Sequence, residues 1–178
     1  MELRQTRFGW ASPLLAGALL AGLLASVASA DDLTTGKTSG LPLPRFVSLK
    51  SAPVNVRQGP SMEQNIAWKF LKPGIPVEVT QEFDIWFRIR DAEGQEGWVQ
   101  KTLLSGKRTA LVSPWDKGSP LTLFDRAAGN TRVALIEHNV IVDVGACDGK
   151  WCRISAEGTK GFIEQDKLWG VYPGEKVE

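Results

Sequence analysis

The chain has 178 residues, with 21 Lys and Arg against 20 Asp and Glu, seven Trp, two Cys and one His. So even a charge balance, without a basic run, excludes nucleic acid as a partner, because that affinity comes mainly from Lys and Arg gathered on phosphates. The same balance speaks against attachment to an anionic membrane surface.

Residues 1–30 have the three-part layout of a secretory signal. Arg4 and Arg7 precede the uncharged run "PLLAGALLAGLLASV", and "ASA" precedes Asp31. The run is short for a membrane span, which needs about 20 apolar residues. It contains no Arg-Arg pair, and no Cys near the cleavage site could take a lipid. Cleavage after Ala30 is therefore predicted. It leaves a soluble periplasmic chain of 148 residues with 19 charges of each sign and no membrane insertion. That length suits one ordinary domain or two very small ones.

Segment 31–44, "DDLTTGKTSGLPLP", is rich in Thr, Gly and Ser, then in Pro. It reads as an extended linker. From Arg45 onward, short alternating runs are cut by turn residues. "VNVR" (54–57), "IPVEVT" (75–80), "IWFRIR" (85–90) and "EGWVQ" (96–100) alternate or nearly so. Period two marks half-buried strands. "MEQNIAWKFL" (62–71) can hold either a helical turn or a strand entered through Ile66 and Trp68.

The second half answers the first. "NVIVDV" (139–144) matches "GIPVEV" (74–79), "WCRI" (151–154) matches "WFRI" (86–89), and "EGTKGFIEQDKLWG" (157–170) matches "EGQEGWVQKTLLSG" (93–106). One unit of about sixty residues is written twice, as residues 45–106 and as 107–170 with a connecting segment, before a tail at 171–178. Units this small bury little of their chain. Their largest apolar payload is the Trp of "W-x-R-I" (Trp86, Trp151) and the aromatic of "G-W/F-V/I", which makes these the expected cores.

"VNVRQGPS" resembles the "LNVRSGPS" opening of the bacterial Src-homology-3-like domains of exported proteins. "KPGIPVEV", "WFRIR" and "EGWVQKTLLSG" are similar to that family's central and closing strands. With "KRTALV" and "LWGVYPGE", the chain from residue 40 to 176 is similar to a two-repeat exported group from alphaproteobacteria. The resemblance implies an all-β fold of two tandem SH3-like barrels of about five strands each. Its implied ligand class is peptidoglycan peptide or a partner protein of the envelope. The second repeat departs, since "LTLFDRAAGN" lacks the Asn, Arg and Gly-Pro of the opening motif.

No catalytic constellation stands out. His138 is the single histidine and sits in a turn, "EHN", and the carboxylates are scattered through turns such as "DAEG". One His and two Cys fall short of a four-ligand zinc site, and no Gly-rich loop runs into a helix to cradle phosphate. The expectation is a protein that is not an enzyme and holds no cofactor or metal. In an oxidising compartment, Cys147 and Cys152 of "CDGKWC" are expected to pair across the Asp148-Gly149 turn. A structural bridge suits them better than a redox pair, which favours C-x-x-C at a helix start.

Binding remains. Trp68, Trp98 and Trp115 are the aromatics least needed for the barrel cores, although each can also serve as core or inter-repeat packing. Together with Arg57 of the opening loop, they are the candidate contacts. A Tyr-lined groove like that of proline-rich peptide readers is not expected, because the one Tyr, Tyr172, lies outside both repeats. The reading that follows gives the first repeat the binding role and the second a bracing one. The alternative is an assembly subunit of an envelope complex that binds no peptide.

Overall fold

The computed structural model describes residues 34–178. The signal reading of residues 1–30 and its cleavage at Ala30 lie outside the described residues. A short antiparallel pair, β1 (Thr34–Thr35) and β2 (Pro42–Leu43), comes first. The first repeat follows as β3 (Arg45–Leu49), β4 (Val54–Arg57), β5 (Ile66–Phe70), β6 (Pro76–Phe83), β7 (Trp86–Arg90), β8 (Glu96–Gln100) and β9 (Leu104–Ser105). The second is β10 (Thr109–Val112), β11 (Leu121–Phe124), β12 (Arg132–Ile136), β13 (Ile141–Asp148), β14 (Trp151–Ala156), β15 (Thr159–Glu164) and β16 (Leu168–Trp169). A last strand, β17 (Lys176–Val177), joins β13.

The two sheets repeat strand for strand. Their orders are β5-β4-β8-β7-β6-β3-β9 and β12-β11-β15-β14-β13-β10-β16, antiparallel throughout. The architecture is all-β and SH3-like, as the alternating runs imply. Each long strand slips register at the same place, between Val79 and Gln81 in β6 and between Val144 and Cys147 in β13. An extra residue there raises the local twist and bends the strand, which lets so small a sheet curl round its own core.

That core is filled by alternate residues. In the first repeat Val54, Val56, Val77, Val79, Phe87, Ile89 and Val99 are buried together. In the second the same positions hold Leu123, Val142, Val144, Cys152, Ile154 and Ile163, with the partly buried Leu121 in place of Val54. A close approach explains the Gly of the "E-G-W-V" motif. A Cβ on Gly97 would stand 2.5 Å from Val56 Cγ1, and one on Gly161 would stand 2.8 Å from Leu123 Cβ.

One alternative left open by the sequence is resolved, and three details differ from its reading. Residues 62–71 yield strand β5 and no helix. The connecting segment contains β10, the counterpart of β3, so the second barrel takes its first strand from it. The 31–44 linker is not a free tether over 34–43. Leu43 enters the first core, and Glu82 accepts from Thr38 N at 2.9 Å, Ser39 N at 3.0 Å, Ser39 Oγ at 2.5 Å and Arg45 Nη2 at 2.8 Å. The 171–178 tail is not free either. Val171 is buried in the second core and Val177 pairs with Cys147.

The repeats pack directly on each other. Thr109 Oγ1 donates to Gly74 O at 2.7 Å. Tyr172 Oη donates to Glu78 Oε1 at 2.8 Å. Phe46 of the first repeat meets Trp169 edge-on, with ring centroids 5.1 Å apart, and Tyr172 at 4.7 Å.

Candidate ligand groove

A shift of one residue along a strand moves a side chain to the opposite face of the sheet, and this decides where the tryptophans go. In β7 and β14 the core-facing residues are Phe87 and Ile89, and Cys152 and Ile154. The Trp of "W-x-R-I" therefore stands on the outer face with Arg88 or Arg153. This corrects the expectation that Trp86 and Trp151 form the two cores. The large side chains attracted that reading, whereas the fold fills its centre with β-branched residues.

The outer face is treated differently in the two repeats. Trp86 is only 6% exposed. Its cross-strand neighbour Gln100 donates Nε2 to Met62 Sδ at 3.6 Å, a residue of the loop before β5. The corresponding loop of the second repeat is shorter, and Trp151 is half-buried beside a groove of about 710 Å³. Trp115, Trp151, Trp169, Tyr172 and Phe46 wall this groove, with Glu164, Gln165, Asp166 and Lys150 as its polar side chains. Its volume falls in the range of small-ligand pockets, and so does its plan of apolar walls with a few polar groups.

The tail is what completes the groove. Arg108 forks onto Glu175, with Nη1–Oε1 at 2.8 Å and Nη2–Oε2 at 3.0 Å, while Glu175 Oε2 also accepts from Tyr172 N at 2.8 Å. Burial alone would raise the Glu175 carboxyl, but Arg108 and the Tyr172 amide hold it below its ordinary value. Burial, and next the bond to Glu78, push the Tyr172 hydroxyl well above its usual range, so it stays a neutral donor. Glu78 is itself gripped by Arg90 at 2.5 Å. Trp115 stands on the 113–119 loop, 61% exposed. His138 spans that loop, with Nε2 3.0 Å from Ser119 O and Nδ1 3.4 Å from Ser113 O, which gives the histidine a positioning role in a turn.

Of the sequence candidates, Trp115 alone lines this groove. Trp68 turns inward. It sits opposite Val56 in register, packs on the first core, meets Phe70 edge-on at 6.1 Å, and its Cη2 covers Gly97. Trp98 and Arg57 are cross-strand partners on the outer face of the first sheet. Trp98 also lies opposite Arg88, while Arg57 Nη1 donates to Gln64 O at 2.7 Å. The geometry brings those two together, apart from the residues that line the groove. Cys147 and Cys152 are bonded to each other, and Asp148 Oδ1 closes their turn by accepting from Lys150 N and Trp151 N, both at 2.8 Å. Sequence reasoning missed Trp169, Tyr172, Gln165 and Phe46. The clustering of Trp169 and Tyr172 in "LWGVYP" was the available signal.

Two segments, 50–106 and 117–170, match the family model described as bacterial SH3 domain. No curated protein matches the chain. Among solved structures it is similar to NlpC2 from Trichomonas vaginalis, at 16% identity and a TM-score of 0.32, covering 71% of this chain and 48% of that one. It is also similar to NlpC1 from the same organism, at 17% identity and a TM-score of 0.30, covering 78% of this chain and 49% of that one. The chain thus spans about half the length of either.

Proposed function

The chain belongs to the bacterial SH3 domain family, and on that premise we propose that it is a non-catalytic binding module, exported to the periplasm, whose aromatic groove holds a cell-wall peptide. The observation that carries this reading is the groove itself. Four half-buried or exposed aromatic rings and a buried fifth converge on one concavity where the second repeat, the tail and Phe46 meet. Rigid aromatic side chains give large contact area for little entropy, which is why they dominate binding sites. The salt bridges of Glu175 and Glu78 fix those walls in advance, so little ordering remains to be done on binding.

The test is co-sedimentation with isolated cell-wall sacculi, using protein recovered from the periplasm of cells expressing the full chain. Mass spectrometry of that material should give an N-terminus at Asp31. The wild type should sediment with the sacculi, and Trp115→Ala should lose at least tenfold in affinity while melting like the wild type. If the wild type does not sediment but is recovered in a stable complex with envelope proteins, the assembly-subunit reading replaces this one.

A further inference from the structure

Resting on the groove as the ligand site, we propose that its ligand carries a primary ammonium group on an aliphatic stem. The ammonium is received at the Glu164–Gln165–Asp166 turn, and the stem lies along the indoles of Trp115, Trp151 and Trp169. A lysine-like side chain of a peptide has this chemistry.

The first support is an acceptor with nothing to accept. Gln165 is 5% exposed, and its Nε2 donates to Tyr172 O at 2.6 Å and Glu175 O at 3.0 Å. Those two carbonyls fix which way the amide points, since its oxygen in their place would face two acceptors. Gln165 Oε1 is then left buried with no donor among the described residues. Native proteins pair nearly all such atoms, so an orphaned oxygen on a groove-lining residue suits a ligand's N–H.

The second support is charge. Glu164 and Asp166, on either side of Gln165, both line the groove. Glu164 has no ion pair among the described residues, while Asp166 is met by Lys167 Nζ at 3.2 Å. Among the described lining residues Lys150 is the basic one, and with Asp166 paired to Lys167 the carboxylate left without a partner there is Glu164. A carboxylate or phosphate ligand would meet two carboxylates. A wholly apolar ligand would bury Glu164 without a partner, which is costly, and leave Gln165 Oε1 as unpaired as before. An ammonium satisfies both. The third support is the walls, since indole faces attract cations and an aliphatic stem covers apolar surface while its charged head finds a polar group.

The experiment titrates the full exported chain with three acetylated, amidated tripeptides, Ala-X-Ala, where X is lysine, norleucine or Nε-acetyl-lysine. Binding is read from tryptophan fluorescence and from indole N–H shifts. The lysine peptide should bind about tenfold tighter than either analogue, in keeping with a charged hydrogen bond, and weaken as salt rises. Glu164→Gln should bring lysine down to the norleucine level, while Glu63→Gln on the first repeat should change nothing. Equal binding of the lysine and norleucine peptides at the groove indoles would overturn the ammonium assignment yet leave the peptide-binding function standing. Tighter binding of the glutamate tripeptide, Ala-Glu-Ala titrated in parallel as a control, would overturn it in favour of a carboxylate at Lys150. If no peptide moves any indole, the assignment also falls, and sacculus co-sedimentation then judges the broader function separately.

Discussion

Trp86 and Trp151 occupy one position of a duplicated unit, yet one is sealed and the other opens onto a groove. The barrels beneath them are alike, down to the register slip in β6 and β13. The difference lies at the margins. A longer loop brings Met62 to the neighbour of Trp86, whereas Trp151 faces the Trp115 loop and the C-terminal segment across open space. The anchoring of the chain ends diverges in the same way. Glu82 and Cys147 are equivalent, each opposite the residue after the Trp, Phe87 and Cys152 respectively. Glu82 uses its carboxylate to clamp the β1–β2 hairpin. Cys147 uses its side chain for the disulfide to Cys152, while its backbone pairs with Val177 of the tail that completes the groove. Duplication preserves the core, and specialisation proceeds on the outer face.

This contrast can be broken most forcefully at the two tryptophans. Trp86→Ala should cost about 3–5 kcal/mol, as a buried aromatic truncation, and Trp151→Ala less than half of that, in denaturant melts of both variants. Equal costs would erase the sealed-versus-open distinction. Reducing Cys147–Cys152 should cost about 2 kcal/mol by the chain-entropy model, because the closed loop is short. It should also weaken ligand binding, because the bridged hairpin carries Lys150 and Trp151. Hydrogen exchange should show the loosening confined to the second repeat.

A smaller effect is expected at Glu82. Burial would raise its carboxyl, but hydrogen bonds from Ser39, Arg45 and Thr38 outweigh that and hold it below the ordinary value. A depressed carboxyl lends stability that is complete above the usual carboxylate range and is lost as pH falls through its folded value. The amides of Thr38 and Ser39 should therefore lose exchange protection on acidification before the core does, and Glu82→Gln should remove that step. Trp98→Ala comes last, at under about 1 kcal/mol, as a half-buried residue outside the core cluster.

The fold was legible in the sequence because period two and turn residues are local signals, and "WFRI" and "WCRI" aligned the repeats without ambiguity. The phase of those strands was harder to read. Trp86 and Phe87 are adjacent and both large, so alternation alone does not say which faces in, and the bulkier residue was the wrong choice. The disulfide could be read from Cys147, Asp148, Gly149 and Cys152, all within one turn. The groove could not. Phe46, Trp115, Gln165 and Tyr172 meet through the packing of two barrels and a tail, and no period or spacing encodes that meeting.

The most direct test is capture of isolated sacculi by three proteins side by side: wild type, Trp115→Ala and Trp98→Ala. All three should melt within about 1 kcal/mol of one another. If the groove of the second repeat is the binding site, Trp98→Ala sediments like the wild type and Trp115→Ala stays in the supernatant. If Trp115→Ala still sediments and Trp98→Ala does not, the site belongs to the first repeat and this account is wrong.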